Sequence, residues 1–433
     1  MTTLAEIRHY LELLFPITRS LTGLGNRESL RILQEIAPLD LVEYPSRRPV
    51  FDWTVPDEWR VKEAWIKNSA GETLVDFQQC NLHLVSYSDA VSGSFGIDEL
   101  RQHLHCHEHL PDAIPYRTAY YKRDWGFCVT WAQMEVLETT DGPLEVLVDS
   151  EFDPNGSLTV AELLIPGKSN EEILVSTYIC HPSLANDNLS GMIMTAFLAR
   201  ELLAQGRTRR SYRFVWVPET VGAIAYCAMN EEAIRKIRSG LVVTSVGGPG
   251  SFGYKQTFDP NHSVNALIEE VFTEENIDFL TYPFDIHGSD ERQYSSQGFR
   301  VNVASLTKDK YYEYPYYHTS LDNLDFVKAE HVLESLRLHQ KVLARLDAEP
   351  TYQSLVPNCE VMLSKHDLYP LTGGAQIPGT NETTELDLIL LLLWMCDGRS
   401  GTHGIARRLG VPTSRVLEIL AQLEAKQLVE RVL

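Results

Sequence analysis

Apolar positions recur at helical spacing near the start of the chain (Leu4, Ile7, Tyr10, Leu11, Leu14), and Pro16 ends that helix. A second helix is expected over 26–37, opening at an Asn26 cap. Over 42–150 the period changes. Short apolar runs such as Ala64–Ile66, Leu82–Tyr87 and Phe127–Thr130 alternate with turn signals, which predicts small, mostly β structure. From 158 the pattern becomes strand, loop, helix, strand, with LTVAELLIPG, EEILVSTYI, GMIMTAFLARELLAQ, SYRFVWVP, a helix near 222–239, and GLVVTSVG. A helix at 262–275, a strand at 300–306 and a closing helix at 325–347 continue it. Apolar strands alternating with helices predict an α/β fold whose mixed sheet is covered by helices on both faces.

Residues 351–383 read as a linker rich in Pro and Gly. After it, a buried helix, a short helix, a turn, a longer helix and a terminal strand make the order of a winged helix over 384–433. The predicted organisation is therefore a catalytic-type α/β domain from 1–41 and 151–350, an inserted mostly β domain at 42–150, the linker, and the winged helix.

The chain has 433 residues and a formal net charge of −21. That balance argues against broad binding to a phosphate backbone, so DNA is not an expected partner. Seven scattered cysteines without a CxxC pair favour a reducing, cytoplasmic compartment over a disulfide framework. The N-terminus, MTTLAEIRHYLELLF, has neither a basic start nor a small-residue cleavage site, so no signal peptide is expected. The longest apolar run, Leu386–Cys396, is too short to cross a bilayer, so no membrane association is expected.

Four segments carry groups suited to metal hydrolysis, which needs His and carboxylate ligands, an open coordination position and a carboxylate base. They are His181-Pro-Ser-Leu-Ala-Asn-Asp187, Pro218-Glu219-Thr220, His287-Gly-Ser-Asp290-Glu291, and Tyr317-His318-Thr319-Ser320. Each alone has a bland reading as a hydrogen-bonding loop, a helix cap, a solvated turn or a packed aromatic. The first two directly follow predicted strands, where α/β proteins build sites, and the four together favour a metal centre. Tyr121, Arg123 and Trp125, together with Tyr317, are candidate substrate contacts. His103, His105, His107 and His109 alternate at a strand's period but read as ordinary surface histidines.

The order of His181, Asp187-Asn188, Gly191, Glu219, Gly222 and Tyr317-to-Asp322 resembles that of zinc aminopeptidases and glutaminyl cyclases. More closely, CHPSLANDNLSG, PETVGAIAY, GSDERQY and YHTSLDNLDFV resemble a bacterial family of aminopeptidase-like proteins. Its members carry an inserted domain of unknown function and a C-terminal winged helix, and several are named for polysaccharide-biosynthesis neighbourhoods. FDWTVPDEW and YYKRDWGFC resemble the inserted domain, and the resemblance covers nearly the whole chain. It implies Asp187 as bridging ligand, His181 and His318 as terminal ligands, Glu219 as general base, and a cis Asp187–Asn188 peptide. The chain departs from the superfamily at two ligand positions, where Thr220 and Thr244 or Ser245 stand in place of acidic residues. One zinc ion is therefore favoured over two, with Asp290 or Glu291 as a candidate replacement ligand or base.

The leading function is a zinc-dependent hydrolase of an amide bond in a small peptide or an amidated sugar. The alternatives are a binding or regulatory protein that has lost the chemistry, and a DNA-binding regulator using the winged helix. A homo-oligomer is an open expectation.

Overall fold

A computed structural model describes residues 1–285, 287–371 and 384–432. The expected N-terminal helix is α1, Leu4–Leu14, opened by a Thr3–Glu6 capping box. Next comes α2, Leu24–Leu33, which starts earlier than the expected Asn26 cap. Gly23 takes the cap position at φ 110°, where a Cβ would meet the Trp59 carbonyl oxygen at 2.6 Å. Asn26 lies inside the helix, and its side chain instead ties down Ser20 through two hydrogen bonds.

One eight-stranded sheet forms the centre. Its strands are β1 (Asp40–Pro45), β2 (Ser157–Ile165), β3 (Glu172–Tyr178), β4 (Ser211–Val217), β5 (Ile237–Val243), β6 (Phe252–Lys255), β7 (Phe279–Tyr282) and β8 (Asn302–Lys308). The spatial order is β1-β2-β4-β3-β5-β8-β6-β7. The inner strands β4, β3, β5 and β8 run parallel, while β1, β2 and β6 pair antiparallel to their inner neighbours. Every residue of β3 and β4 is buried, as expected of strands covered on both faces.

The helices α3 (Gly191–Gln205), α5 (Ser263–Glu274) and α6 (Ala329–Ala348) join α1 and α2 on one face of the sheet, around Phe197, Trp216 and Leu336. On the other face lies α4, Val221–Met229, packed with Tyr294 and Val303. The helix expected near 222–239 is thus shorter, because β5 begins at Ile237 and takes its last residues. From β3 the chain crosses to β4 on one side and then returns to β5 on the other. That reversal opens a crevice at the C-terminal ends of the parallel strands.

Residues 40–45 pair with β2 in the central sheet, so the separate unit begins after them. Its core is a four-stranded antiparallel sheet with Glu58–Lys67 and Leu144–Asp153 at its centre. A helix, Trp131–Thr139, packs beside it. Leu82–Tyr87 is largely non-strand: a short 3₁₀ turn covers Asn81–His83.

At the C-terminus, helices Glu385–Met395, Thr402–Leu409 and Thr413–Ala425 pack with a three-stranded sheet. One strand of that sheet is Thr351–Ser354, from the start of the expected linker. Residues 372–383 of that linker lie outside the described residues. No helix among the described residues is long and apolar enough to cross a membrane.

Candidate metal centre

His181 and Asp187 follow β3, Glu219 follows β4, and His318 follows β8, so parallel neighbouring strands deliver all four to one edge of the sheet. The His181 and His318 rings lie 5.2 Å apart, edge to face. His318 Nε2 is 2.9 Å from Asp187 Oδ2, and His181 Nδ1 is 3.6 Å from the same oxygen. The other imidazole nitrogen of His181, Nε2, is 3.6 Å from Glu219 Oε2.

His181 Nδ1, Asp187 Oδ2 and His318 Nε2 are all buried, and none makes an aligned hydrogen bond. The ligand-type atoms of these three residues lie within 4.8 Å of one another. These atoms face one another as ion pairs without an aligned hydrogen bond, so their hydrogen-bonding capacity is not fully met within the protein. Two imidazoles and one carboxylate are a donor set that suits zinc. The residues present therefore fit the ion.

The Asp187 loop is held from several directions. Asp322 accepts the Asn186 N–H at 2.7 Å and the Asp187 N–H at 3.0 Å. The Asn188 amide donates to Thr177 Oγ1 and to the carbonyls of Tyr178 and Val243. The Asp187–Asn188 peptide is cis. Arg19, buried, donates through Nε to the His181 carbonyl at 3.0 Å.

The departures from the superfamily pattern have occupants. Thr244 stands at the end of β5 and pairs its hydroxyl with Tyr178 Oη at 2.5 Å. The same Tyr178 hydroxyl donates to Asp187 Oδ1. One oxygen of Asp187 is therefore engaged by protein, and the other faces the two histidines.

Electrostatics separate the carboxylates. Burial opposes ionisation of Asp187, but the His181 and His318 imidazoles outweigh it and hold its pKa far below the ordinary carboxylate range. Burial raises the pKa of Glu219, with the negative charge of Asp187 adding to the effect and His181 opposing it. Burial and the charge of Glu219 push Asp290 well up. Burial pushes Asp322 up to about 7 despite its backbone hydrogen bonds.

The separate β unit reaches this centre. Tyr116 donates its N–H to the His318 carbonyl at 2.7 Å, and Ser320 N–H bonds the Ile114 carbonyl at 2.9 Å. The Tyr116 ring sits edge-on to both histidines, 5.2 Å from His181 and 5.1 Å from His318.

The other candidate residues are spread more widely. Tyr317 stacks on His318 with ring centroids 3.9 Å apart. Asp290 and Glu291 are not in the His181–Asp187–His318 set. Asp290 Oδ1 accepts the Thr220 N–H, and Glu291 pairs with the buried Lys255. Arg123 is engaged by Asp89 and lies over the Phe152 ring, while Trp125 stacks on His103. Tyr121 is exposed and faces Trp53. Sequence reading passed over Tyr116, Tyr178 and Ser289. Tyr178 carried a faint signal, standing in the same strand end as His181. Ser289 lay inside the His287–Glu291 candidate segment without being singled out, and Tyr116 carried no signal, because its partners are far away in the chain.

The sheet order and the site at its parallel edge define a mixed α/β protein of the zinc aminopeptidase fold. A zinc aminopeptidase from Bacillus subtilis superposes with a TM-score of 0.55 at 11% identity, over 78% of this chain and 95% of that one. The chain belongs to the family described as a domain of unknown function, DUF4910, whose model matches residues 8–349, and a winged helix-turn-helix model matches 350–431. A Clostridium acetobutylicum relative, named for polysaccharide biosynthesis and an aminopeptidase-like domain, is 39% identical over 411 residues, covering 95% of this chain and 93% of the relative. A crystal structure from the same species, carrying a peptidase name, aligns with a TM-score of 0.79 at 37% identity over 99% of this chain and 96% of that one.

Proposed function

We propose that this chain is an amide-bond hydrolase of the aminopeptidase kind that holds one zinc ion through His181, Asp187 and His318. The observation that carries this reading is the convergence of three buried ligand-type atoms from those residues, none with an aligned hydrogen bond. When bound, zinc supplies Lewis acidity to a substrate carbonyl and to a water molecule. Glu219, half-buried beside His181, takes the proton from that water and returns it to the departing amine. Tyr116 and Tyr317 wall the histidines and limit solvent access.

A single ion is favoured because the Tyr178 hydroxyl engages Asp187 Oδ1, and Thr220 and Thr244 or Ser245 stand at two acidic ligand positions of the resembled pattern. The substrate class is a small peptide with a free amino terminus. The naming of the Clostridium acetobutylicum relative supports an amidated sugar as the other substrate to assay. The same residues favour a second reading, a binding protein that has lost the chemistry.

The deciding experiment measures metal content and hydrolysis on one preparation of the full chain. About one zinc per chain, located by anomalous scattering between His181 and His318, is expected, together with cleavage within a panel of L-aminoacyl-4-nitroanilides and amidated sugars. Purified protein that neither carries zinc nor takes it up favours the binding protein.

A further inference from the structure

Glu219 does not stand on ordinary backbone. The residue after it, Thr220, has φ 63° and ψ −79°. Val221 N–H closes back on the Glu219 carbonyl at 2.8 Å. That makes Thr220 the central residue of a γ-turn of the rare positive-φ kind, and a β-branched side chain is poorly suited to it. Such a conformation persists only where the surroundings hold it.

The holding groups come from one short stretch, Gly288–Glu291. Asp290 Oδ1 accepts the Thr220 N–H at 2.8 Å, fixing the turn from outside. The preceding residue, Ser289, donates its hydroxyl to Glu219 Oε1 at 2.6 Å. Two adjacent residues thus grip the backbone and the carboxylate of the same unit.

The stretch is itself anchored. Glu291, fully buried, accepts the Ser289 N–H on both oxygens, at 3.1 and 3.0 Å. Buried Lys255, at the end of β6, lies 3.4 Å from Glu291 Oε1 and donates to the His287 carbonyl at 2.6 Å and to Asp285 Oδ1 at 2.7 Å. Gly288 admits no side chain, because a Cβ there would stand 2.0 Å from Glu291 Oε1 and 2.7 Å from Lys255 Nζ.

From this geometry we infer that Gly288–Glu291 is a cradle that positions the general base, with Ser289 and Asp290 as positioning residues acting through Glu219 and Thr220. The inference rests on the reading of Glu219 as base. Its chemical content is a division of labour between two oxygens. Ser289 engages Oε1, so Oε2, which faces His181, is left to accept the proton. Asp290 and Glu291 are on this account supports for the base, not ligands or a substitute base.

The test pairs crystallography with kinetics on the full-length protein. In Ser289→Ala, the Glu219 carboxylate is expected to leave its orientation toward His181 or to spread over two rotamers, while the 288–291 backbone stays in place. On whichever aminoacyl-4-nitroanilide the unaltered protein cleaves, kcat is expected to fall about tenfold to a hundredfold with KM little changed, the loss of one charge-assisted hydrogen bond. Asp290→Ala is expected to let Thr220 relax out of positive φ, and Asp290→Asn, which keeps the Oδ1 acceptor, to restore it.

A Glu219 side chain unmoved in Ser289→Ala, or a Thr220 unmoved in Asp290→Ala, overturns the cradle and leaves the base reading intact. Conversely, full turnover in Glu219→Gln overturns the base reading, while the crystallographic outcomes still decide whether the cradle exists.

Discussion

His181 and Glu219 face each other at 3.6 Å, yet the loss of each removes a different thing. Glu219→Gln keeps the shape of the side chain but cannot accept the proton from water, so turnover is expected to fall roughly 10²–10⁴-fold with zinc retained. His181→Ala removes a ligand, so zinc content is expected to fall together with activity. Metal content and turnover measured on the same two preparations separate a base from a ligand, and equal zinc loss in both would recast Glu219 as a ligand. At this scale much was legible from sequence. His181, Asp187, Glu219 and His318 stood out only together, because each alone also reads as a loop, cap or packing residue, and His181, Asp187 and Glu219 follow strand ends. Ser289 and Tyr178 do not announce themselves, because a hydroxyl is common everywhere and gains meaning only from the carboxylate opposite it.

Among the elements, the winged helix shows how charge can be absorbed by packing. Helix Thr402–Leu409 lies against α5, with Arg407 bonded to Glu269 and Arg408 to Asp259. On the next helix, Arg415 pairs with Glu385 and Glu418. Cations committed to carboxylates offer little to a phosphate backbone. Duplex DNA is therefore expected to bind no more tightly at 50 mM than at 200 mM salt, and a steep salt dependence in a titration would contradict this. His403 belongs to the same contact, bonded to Glu349 and 3.4 Å from Glu270. Burial works against its charge, but the two carboxylates outweigh burial and raise its pKa above the ordinary histidine value. A raised folded-state value means that the contribution is fully present below about pH 6.5, the unfolded histidine value. It fades as pH rises through the higher folded value. The difference in melting temperature between the unaltered chain and His403→Ala is accordingly expected to be largest near pH 6 and to shrink by pH 9. A difference that grows with pH would show the sign to be wrong.

Taken as a whole, the molecule uses loops from different crossovers to close one site, so an ion held there ties together parts of the chain that are distant in sequence. An ion that binds only the folded state stabilises it by RT ln(1 + [L]/Kd), about 2.7 kcal/mol at a hundredfold excess over Kd. Stripping zinc with a chelator is expected to lower the melting temperature, and added zinc to restore it; an unchanged melting curve would count against the centre. The alternation of strand and helix, the order of the C-terminal winged helix and the chemistry-bearing motifs were all determined by the sequence itself. Period and residue type are local properties, set by how a few neighbouring side chains share a face. Only the tertiary structure decided that β1 joins the central sheet, that Thr351–Ser354 completes the C-terminal one, and that Tyr116 reaches His181 and His318 from the separate β unit. It also set Asp290 against the Thr220 N–H and Glu291 against the Ser289 N–H. All but the last are pairings between distant segments, and no local period encodes them: they follow from the strand order β4-β3-β5-β8 and from which crossover returns to which side of β3.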